Sequence, residues 1–559
     1  MNNLKFISIL LLCFLLSACN EEGKLSLSER SVIYCAEGSP ETFNPQLVTS
    51  GTTIDATSNQ LYNRLIAYQG DDNILSPAIA KSWHVTRDGK KVTFYLRKDI
   101  TFHQTDYFAP TRTLNADDVI FSFERVLNFA HPYHLVSGGN YPFFQDVGLN
   151  DLIYDIEKIN EYTVRFHLAQ ADNSFLANLA TDFAVILSAE YAEQLTKLKA
   201  KSDIDTHPIG TGPFKLKEYR VGSLIRFYRH KQYWQEPAKI DQLVFDITPS
   251  NTGRLTKLLA KECDVVAYPI AHEKIVQHED LSLEAVTALN VGYFGFNINK
   301  APFDNKLVRQ AISYAINKET LLDTVYQGKA EMANSLIPKT SWAYDNNITK
   351  QEFNPELAKS LLNFAGYSDG FTMDLWAMPI QRPYNPNAIT MAKLIQSDLK
   401  KINIKVNIIS FEWSTFLQRL KQGEHQAFLL GWSADHPDPD NFFTPILSCS
   451  AAQTGSNTTF WCDREYDDTI KKALHTNNIK QRKKYYAQAM AILAEEVPVI
   501  PIAHSKRYQA RGENVLGDIL APFGGINFYN VSKKSLNIEK EEIKSNHRSK
   551  QNNSNTGVN

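Results

Sequence analysis

Gly431-Trp432-Ser433-Ala434-Asp435-His436-Pro437-Asp438-Pro439-Asp440-Asn441-Phe442-Phe443 is the stretch on which the reading of this chain turns. The apolar run Phe428-Leu429-Leu430 just before it reads as a buried strand. Pro437 and Pro439 forbid that strand to continue, because proline has no amide to give to a ladder, so Asp435 falls on a tight loop at a strand end. A carboxylate beside an indole at such a place suits an ammonium ion, which makes Asp435 and Trp432 a candidate pair. A plainer role, turn and cap, fits Asp438 and Asp440. Aspartate next to proline favours turns, and Asp440 can cap a helix that begins at Asn441. Three carboxylates in six residues also raise calcium, but the alternate-position ligands around a central glycine are lacking.

Outward from this loop the pattern alternates. Tyr486, Ala489, Met490 and Leu493 recur at helical spacing, and a strand Val499–Ala503 is predicted after them. Asn354-Pro355 opens a helix as cap and first residue, and Gly366 closes it. Leu289 to Asn299 predicts a long alternating strand, followed by a helix face of Leu307, Val308, Ala311, Ile312 and Ala315. Nearer the start, Ser31–Cys35 reads as a first strand, and Val92, Phe94, Leu96 and Val164, Phe166, Leu168 as two half-buried strands. Between those two lies a helix capped by Asn115, with Asp117 and Asp118 in its first turn. Leu255, Leu258 and Leu259 mark a further helix, followed by a strand Val265–Tyr268. Helices interleaved with strands indicate an α/β chain, and 559 residues are too many for one domain.

The 59 Lys and Arg are balanced by 61 Asp and Glu, without a basic block, so nucleic acid is not an expected partner. Lys5 followed by the apolar run Phe6 to Leu16 has the form of an export signal. No later stretch holds the roughly 18 apolar residues of a membrane span, so membrane contact is expected only through a lipid. Leu16-Ser17-Ala18-Cys19 looks like a lipoprotein cleavage site, with Cys19 as the lipidated residue. Cys13 lies within the signal, which leaves four cysteines, an even number for an oxidising compartment. Cys449 and Cys462 would close a short loop, and Cys35 and Cys263 would join distant parts of the chain; the alternative is four buried thiols.

Catalytic motifs do not assemble. Gly366-Tyr367-Ser368-Asp369-Gly370 matches the G-x-S-x-G string of serine hydrolases, but the elements around it come in the wrong order, helix before and strand Thr372–Trp376 after. Pro208-Ile209-Gly210-Thr211-Gly212-Pro213-Phe214 is a turn into a strand; no Lys-Ser/Thr follows and Pro213 removes a donor a phosphate loop needs. His272-Glu273 lacks the second histidine of a zinc protease, and the 14 histidines show no metal-ligand spacing.

Several ordered motifs resemble the large extracytoplasmic peptide-binding proteins of ABC importers. They are Ala80-x-x-Trp83 with Asp88-Gly89 and Thr93-Phe94-x-Leu96-Arg97, Asn115-Ala116-Asp117-Asp118-Val119, Gly210-Thr211-Gly212-Pro213-Phe214 and Val308-Arg309-Gln310-Ala311. The resemblance implies a two-lobed α/β periplasmic binding protein of type II, in its large peptide-binding class, with an extra subdomain in lobe I and two hinge crossings. The boundaries read 1–18 signal peptide, 19–30 tether, 31–289 lobe I with the subdomain at about 62–207, 290–505 lobe II, 506–532 return to lobe I, and 533–559 disordered tail. It further implies binding without catalysis or cofactor, a monomer in the periplasm, and delivery of peptide to an inner-membrane permease and its ATPases.

Two branches of the family are visible. The chain looks most like a branch linked to cationic antimicrobial peptides and haem, in Phe102-His103-Gln104-Thr105-Asp106, Gly253-Arg254-Leu255-Thr256-Lys257-Leu258-Leu259 and Ser341-Trp342-Ala343-Tyr344-Asp345-Asn346. Gln381-Arg382-Pro383-Tyr384-Asn385-Pro386-Asn387 and the Asp435 loop are similar to the dipeptide binders. There the aspartate matching Asp435 holds the α-ammonium and the arginine matching Arg382 holds the carboxylate. The loop departs from that pattern at Ala434 and at His436-Pro437. Trp413 and Tyr384, with Trp432, complete the candidate site as apolar walls. The rival readings are a haem carrier of the same fold and a secreted hydrolase.

Overall fold

The computed structural model describes residues 30–69, 74–348, 351–454 and 456–534. The export signal, Cys13, Cys19 and the chain beyond Lys534 lie outside the described residues.

One strand organises the molecule. Val499–Gly512 runs through a mixed sheet of twelve strands among the described residues, and its two halves have different neighbours. The first half pairs with Asn290–Phe296, placing Phe294 opposite Ile500. The second pairs with Leu281–Thr287 and Val265–Ala267, placing Ala285 opposite Tyr508 and Val266 opposite Ala510. Beyond Val265–Ala267 come Ser31–Ala36, Gln242–Ile247, Leu224–Arg229 and Phe214–Arg220; beyond Asn290–Phe296 come Ala427–Ser433, Phe371–Ala377 and Ile404–Ile409. Each half has its own apolar core, one with Tyr34, Phe166, Phe227 and Phe245, the other with Phe294, Ile312, Met391 and Leu429. These are two lobes joined where Thr287 leads to Asn290 and Ala503 leads to Lys506. Buried Asn290 ties the two crossings together: it donates to the Ser505 carbonyl at 3.3 Å and accepts from the Ser505 amide at 2.9 Å.

The first lobe carries a separate antiparallel sheet, Ala80–Val85, Lys91–Leu96, Thr163–Leu168 and Ile153–Asn160 in that order. The period-two pattern sets Phe94 opposite Val164, and Phe166 meets Phe123 edge-on from helix Ala116–Leu127. That helix starts in a reciprocal cap: Asn115 accepts from the Asp117 amide, and Asp118 accepts from the Asn115 amide, both at 2.9 Å. Cys35 is bonded to Cys263 and Cys449 to Cys462. No helix among the described residues is long and apolar enough to cross a membrane.

Three expectations need correction. The strand predicted to alternate from Leu289 to Asn299 spans Asn290–Phe296, and every residue in it is buried. It is central and covered on both faces, so period two has no meaning there. The strand expected at Val499–Ala503 continues to Gly512, because it crosses to the other lobe. Lys533, where the tail was placed, still pairs with Val515 in a short ribbon and its ammonium meets Asp264 at 2.8 Å.

Candidate functional site

Three neighbouring strands of the second lobe run parallel. Trp376 of Phe371–Ala377 stands opposite Ile409 on one side and Phe428 on the other. All three therefore release their loops at one carboxyl edge, where open α/β sheets bind ligands. The segments that follow carry Arg382 and Tyr384, Trp413 at the start of helix Trp413–Lys421, and Asp435. The first lobe is built the same way. Ser31–Ala36 runs parallel to Gln242–Ile247 and Val265–Ala267, and the chain beyond their ends supplies Glu37, Asn251 and Tyr268.

The two edges meet. Arg382 lies 3.4 Å from Glu37, and Asn251 donates to the Gln381 side chain at 2.5 Å. At the other end, His436 contacts the Asn178 side-chain oxygen at 3.0 Å, and Asn173 donates to the carbonyls of Leu474 and Thr476 at 2.6 and 2.8 Å. His436 accepts from the Asp438 amide through Nδ1, so its proton sits on Nε2 and is the one donated to Asn178. The lobes are closed on one another.

Asp435 sits just past the strand Ala427–Ser433. Asn441, on the helix Asp440–Leu447, organises the corner. Its oxygen accepts from the Trp432 indole at 3.0 Å and from the Asp435 amide at 2.9 Å, and its nitrogen lies 3.4 Å from the Asp435 carboxylate. Indole and carboxylate are thereby held on one bracket. Asp435 forms no ion pair among the described residues. Burial, with the fields of Asp182 and Asp146 from the first lobe, pushes its carboxyl up to about 7. Asp182 is itself paired with Arg64 at 2.6 Å.

The other aspartates of the loop do different work. Asp438 takes Arg482 at 2.9 Å and accepts from the Asp440 amide at 3.1 Å. The helix begins at Asp440 rather than Asn441, so Asp440 is not the cap; its carboxyl accepts from Thr444 at 2.6 Å, and burial raises it to about 8.

Arg382 is differently placed. Its guanidinium lies 5.8 Å from the ring centres of both Trp413 and Tyr268 and is compensated by Glu37. Tyr268 holds a left-handed backbone at φ 45°, a strained conformation for a tyrosine and one that recurs at ligand sites. Tyr384 packs its ring on Gly431, where a Cβ would come within 2.2 Å, and its carbonyl over Gly292, where a Cβ would come within 2.1 Å. These glycines face one another on adjacent strands, so Tyr384 anchors the Arg382 loop to the sheet and is only 8% exposed. The structure thus groups Asp435 with Trp432 and Arg382 with Trp413, and sets Tyr384 under the loop. Asn441, Glu37, Tyr268 and Asp182 were not singled out from sequence. Glu37, directly after a first strand, was the one with a local signal.

A family model for bacterial extracellular solute-binding proteins, family 5 middle region, matches residues 75–454. The chain is a family 5 solute-binding protein. This solute-binding protein is 44% identical to the dipeptide-binding protein of Escherichia coli K12 over 91% of its own length and 95% of that relative's. A crystal structure of the dipeptide-binding protein of Pseudoalteromonas sp. SM9913 in complex with Met-Leu superposes with a TM-score of 0.87 at 48% identity, covering 90% of this chain and all of the other. The peptide transport protein SapA of Salmonella typhimurium is 38% identical over 94% of this chain and 96% of that one. The branch that three motifs favoured is thus less similar overall than these dipeptide binders.

Proposed function

We propose that this family 5 protein is the periplasmic receptor of an ABC importer for short peptides, tethered through a lipid on Cys19, which hands its ligand to an inner-membrane permease and its ATPases. The observation that carries the reading is a pair of opposite charges on loops from one sheet edge, enclosed between two lobes. The peptide α-ammonium sits at Asp435 beside Trp432, and the carboxylate at Arg382 over Trp413. Groups shared by every peptide then supply the affinity, and side chains are tolerated. Residues 31–289 with 506–532 form one lobe and 290–505 the other, closing about the crossings at Thr287–Asn290 and Ala503–Lys506. Peptides matching dipeptide-binding relatives are favoured over cationic antimicrobial peptides, because both terminus-binding residues are present.

Calorimetry with Met-Leu and its N-acetylated form tests the reading: the free dipeptide binds and the acetylated one does not. Equal binding of the two removes Asp435 from recognition. Haem is the competing ligand, and haem that displaced bound dipeptide stoichiometrically would favour it.

A further inference from the structure

Helix Arg464–His475 of the second lobe ends without the left-handed turn by which a helix commonly caps itself, because its C-cap residue Thr476 is extended at φ −109° and ψ 131°. The last carbonyls of such a helix need donors from elsewhere. Arg482, paired with Asp438 at 2.9 Å, gives its Nε proton to the Ala473 carbonyl at 3.0 Å. The carbonyls of Leu474 and Thr476 are served from the other lobe. Asn173 gives its backbone amide to the Leu474 carbonyl at 3.0 Å, and its side-chain nitrogen to the same carbonyl at 2.6 Å and to that of Thr476 at 2.8 Å.

Asn173 is held ready for this by its neighbours. It follows strand Thr163–Leu168 of the first lobe's separate sheet, and Asp172 accepts from the amide and the hydroxyl of Ser174, both at 2.7 Å, which fixes the turn around it. Helix Phe175–Leu179 comes next, and from it buried Asn178 takes the His436 proton at 3.0 Å. Residues 172–178 thus meet the second lobe at two places, a helix end and the loop that carries Asp435.

We propose that Asn173 is the latch of the closed receptor: it caps a helix of the facing lobe, and so favours closure by the same factor for every ligand. The separate sheet of the first lobe then has a part in capture, since it carries the latch. The inference rests on the peptide-receptor reading, in which closure encloses the ligand. Parting the lobes returns the Leu474 and Thr476 carbonyls to water, so each capping bond counts only by its net gain over a bond to water, and losing both side-chain bonds shifts the closure equilibrium about tenfold. Apparent affinity falls with the population of the closed state, whichever peptide is bound. Closure follows docking, so the loss appears in dissociation rather than association.

The test is calorimetry and stopped-flow kinetics on the whole protein, Asn173→Ala and Asn173→Asp, with Met-Leu and Ala-Ala as probes. Asn173→Ala should weaken both dipeptides by one common factor, about tenfold, through faster dissociation. Asn173→Asp keeps the shape but offers the two carbonyls a charge and no donor, so it should bind more weakly still, whereas a packing role predicts that it binds better than the alanine variant. Different factors for the two dipeptides, or an aspartate variant as good as wild type, overturn the latch. If neither dipeptide binds wild type, the receptor reading falls by itself and hydrogen exchange decides the latch. The amide of residue 173 itself donates across the lobes, so after correction for intrinsic rates it should exchange faster in Asn173→Ala than in wild type; equal rates overturn the proposal.

Discussion

The two ends of the cleft are built on opposite plans. At the Asp435 end a half-buried carboxylate stands near two others, on a hydrogen-bonded bracket of Trp432 and Asn441, and no cation among the described residues pairs with it. At the Arg382 end the cation already has Glu37 at 3.4 Å and two aromatic rings. In the proposed binding mode an arriving ammonium would complete the first end, whereas an arriving carboxylate at the second would share a charge that is already balanced. Recognition should be steeply unequal between the two termini of a peptide.

The largest expected effect follows at once. Asp435→Ala should cost ~2–5 kcal/mol of peptide affinity, at least about tenfold, because it removes one member of a desolvated pair. Calorimetry also reads the linkage. The carboxyl titrates at about 7 before binding and must be ionised to hold an ammonium, so at pH 6 binding releases protons and the affinity rises with pH until about 7. Buffers of different ionisation enthalpy measure that release, and Asp435→Asn should abolish it. Arg382→Met comes next, at ~1.5–3 kcal/mol, the scale of a hydrogen bond to a charged group. A loss equal to that of Asp435→Ala would break the comparison.

Stability separates the ends as well. The Asp435 carboxyl holds its proton in the folded state to about 7 but releases it near 3.8 when unfolded. Unliganded protein should thus lose stability as pH rises from about 4 to about 7. Thermal melts of Asp435→Asn should show a shallower slope there, with Asp55, raised to about 7, and Asp440, raised to about 8, keeping their share. Glu37→Gln should have the smallest effect, a gain of ~0.2–1 kcal/mol in peptide affinity, because Arg382 then keeps its whole fork for the ligand. A loss instead would show that Glu37 orients Arg382.

What could be seen in the sequence follows the same divide. The Asp435 loop was legible because a strand, two prolines and the aspartate lie within a dozen residues, and the capped helix at Asn115 because its signal is local. Glu37 and Arg382 are 345 positions apart. No periodicity announces that two sheet edges will face each other, so Glu37, Tyr268 and Asp182 stayed hidden. Asn441 hid for a different reason. Its type suits the start of a helix, and only the fold shows its side chain turned back to hold Trp432 and Asp435. The strand Asn290–Phe296 was misread as alternating since burial on both faces erases the pattern that identifies strands.

The bond between Cys35 and Cys263 joins positions 228 residues apart, and it lies just behind this end of the cleft. Cys35 is two residues before Glu37, and Cys263 leads into the strand that ends before Tyr268. Oxidation thus fastens together the two strands that present both first-lobe partners of Arg382. Without the bond the two strands would keep their ladder, Tyr34 opposite Val265 and Cys35 opposite Val266, but any extra freedom of that wall would have to be lost on capture. The covalent link thus adds to the hydrogen-bonded ladder at the place where the first lobe meets Arg382.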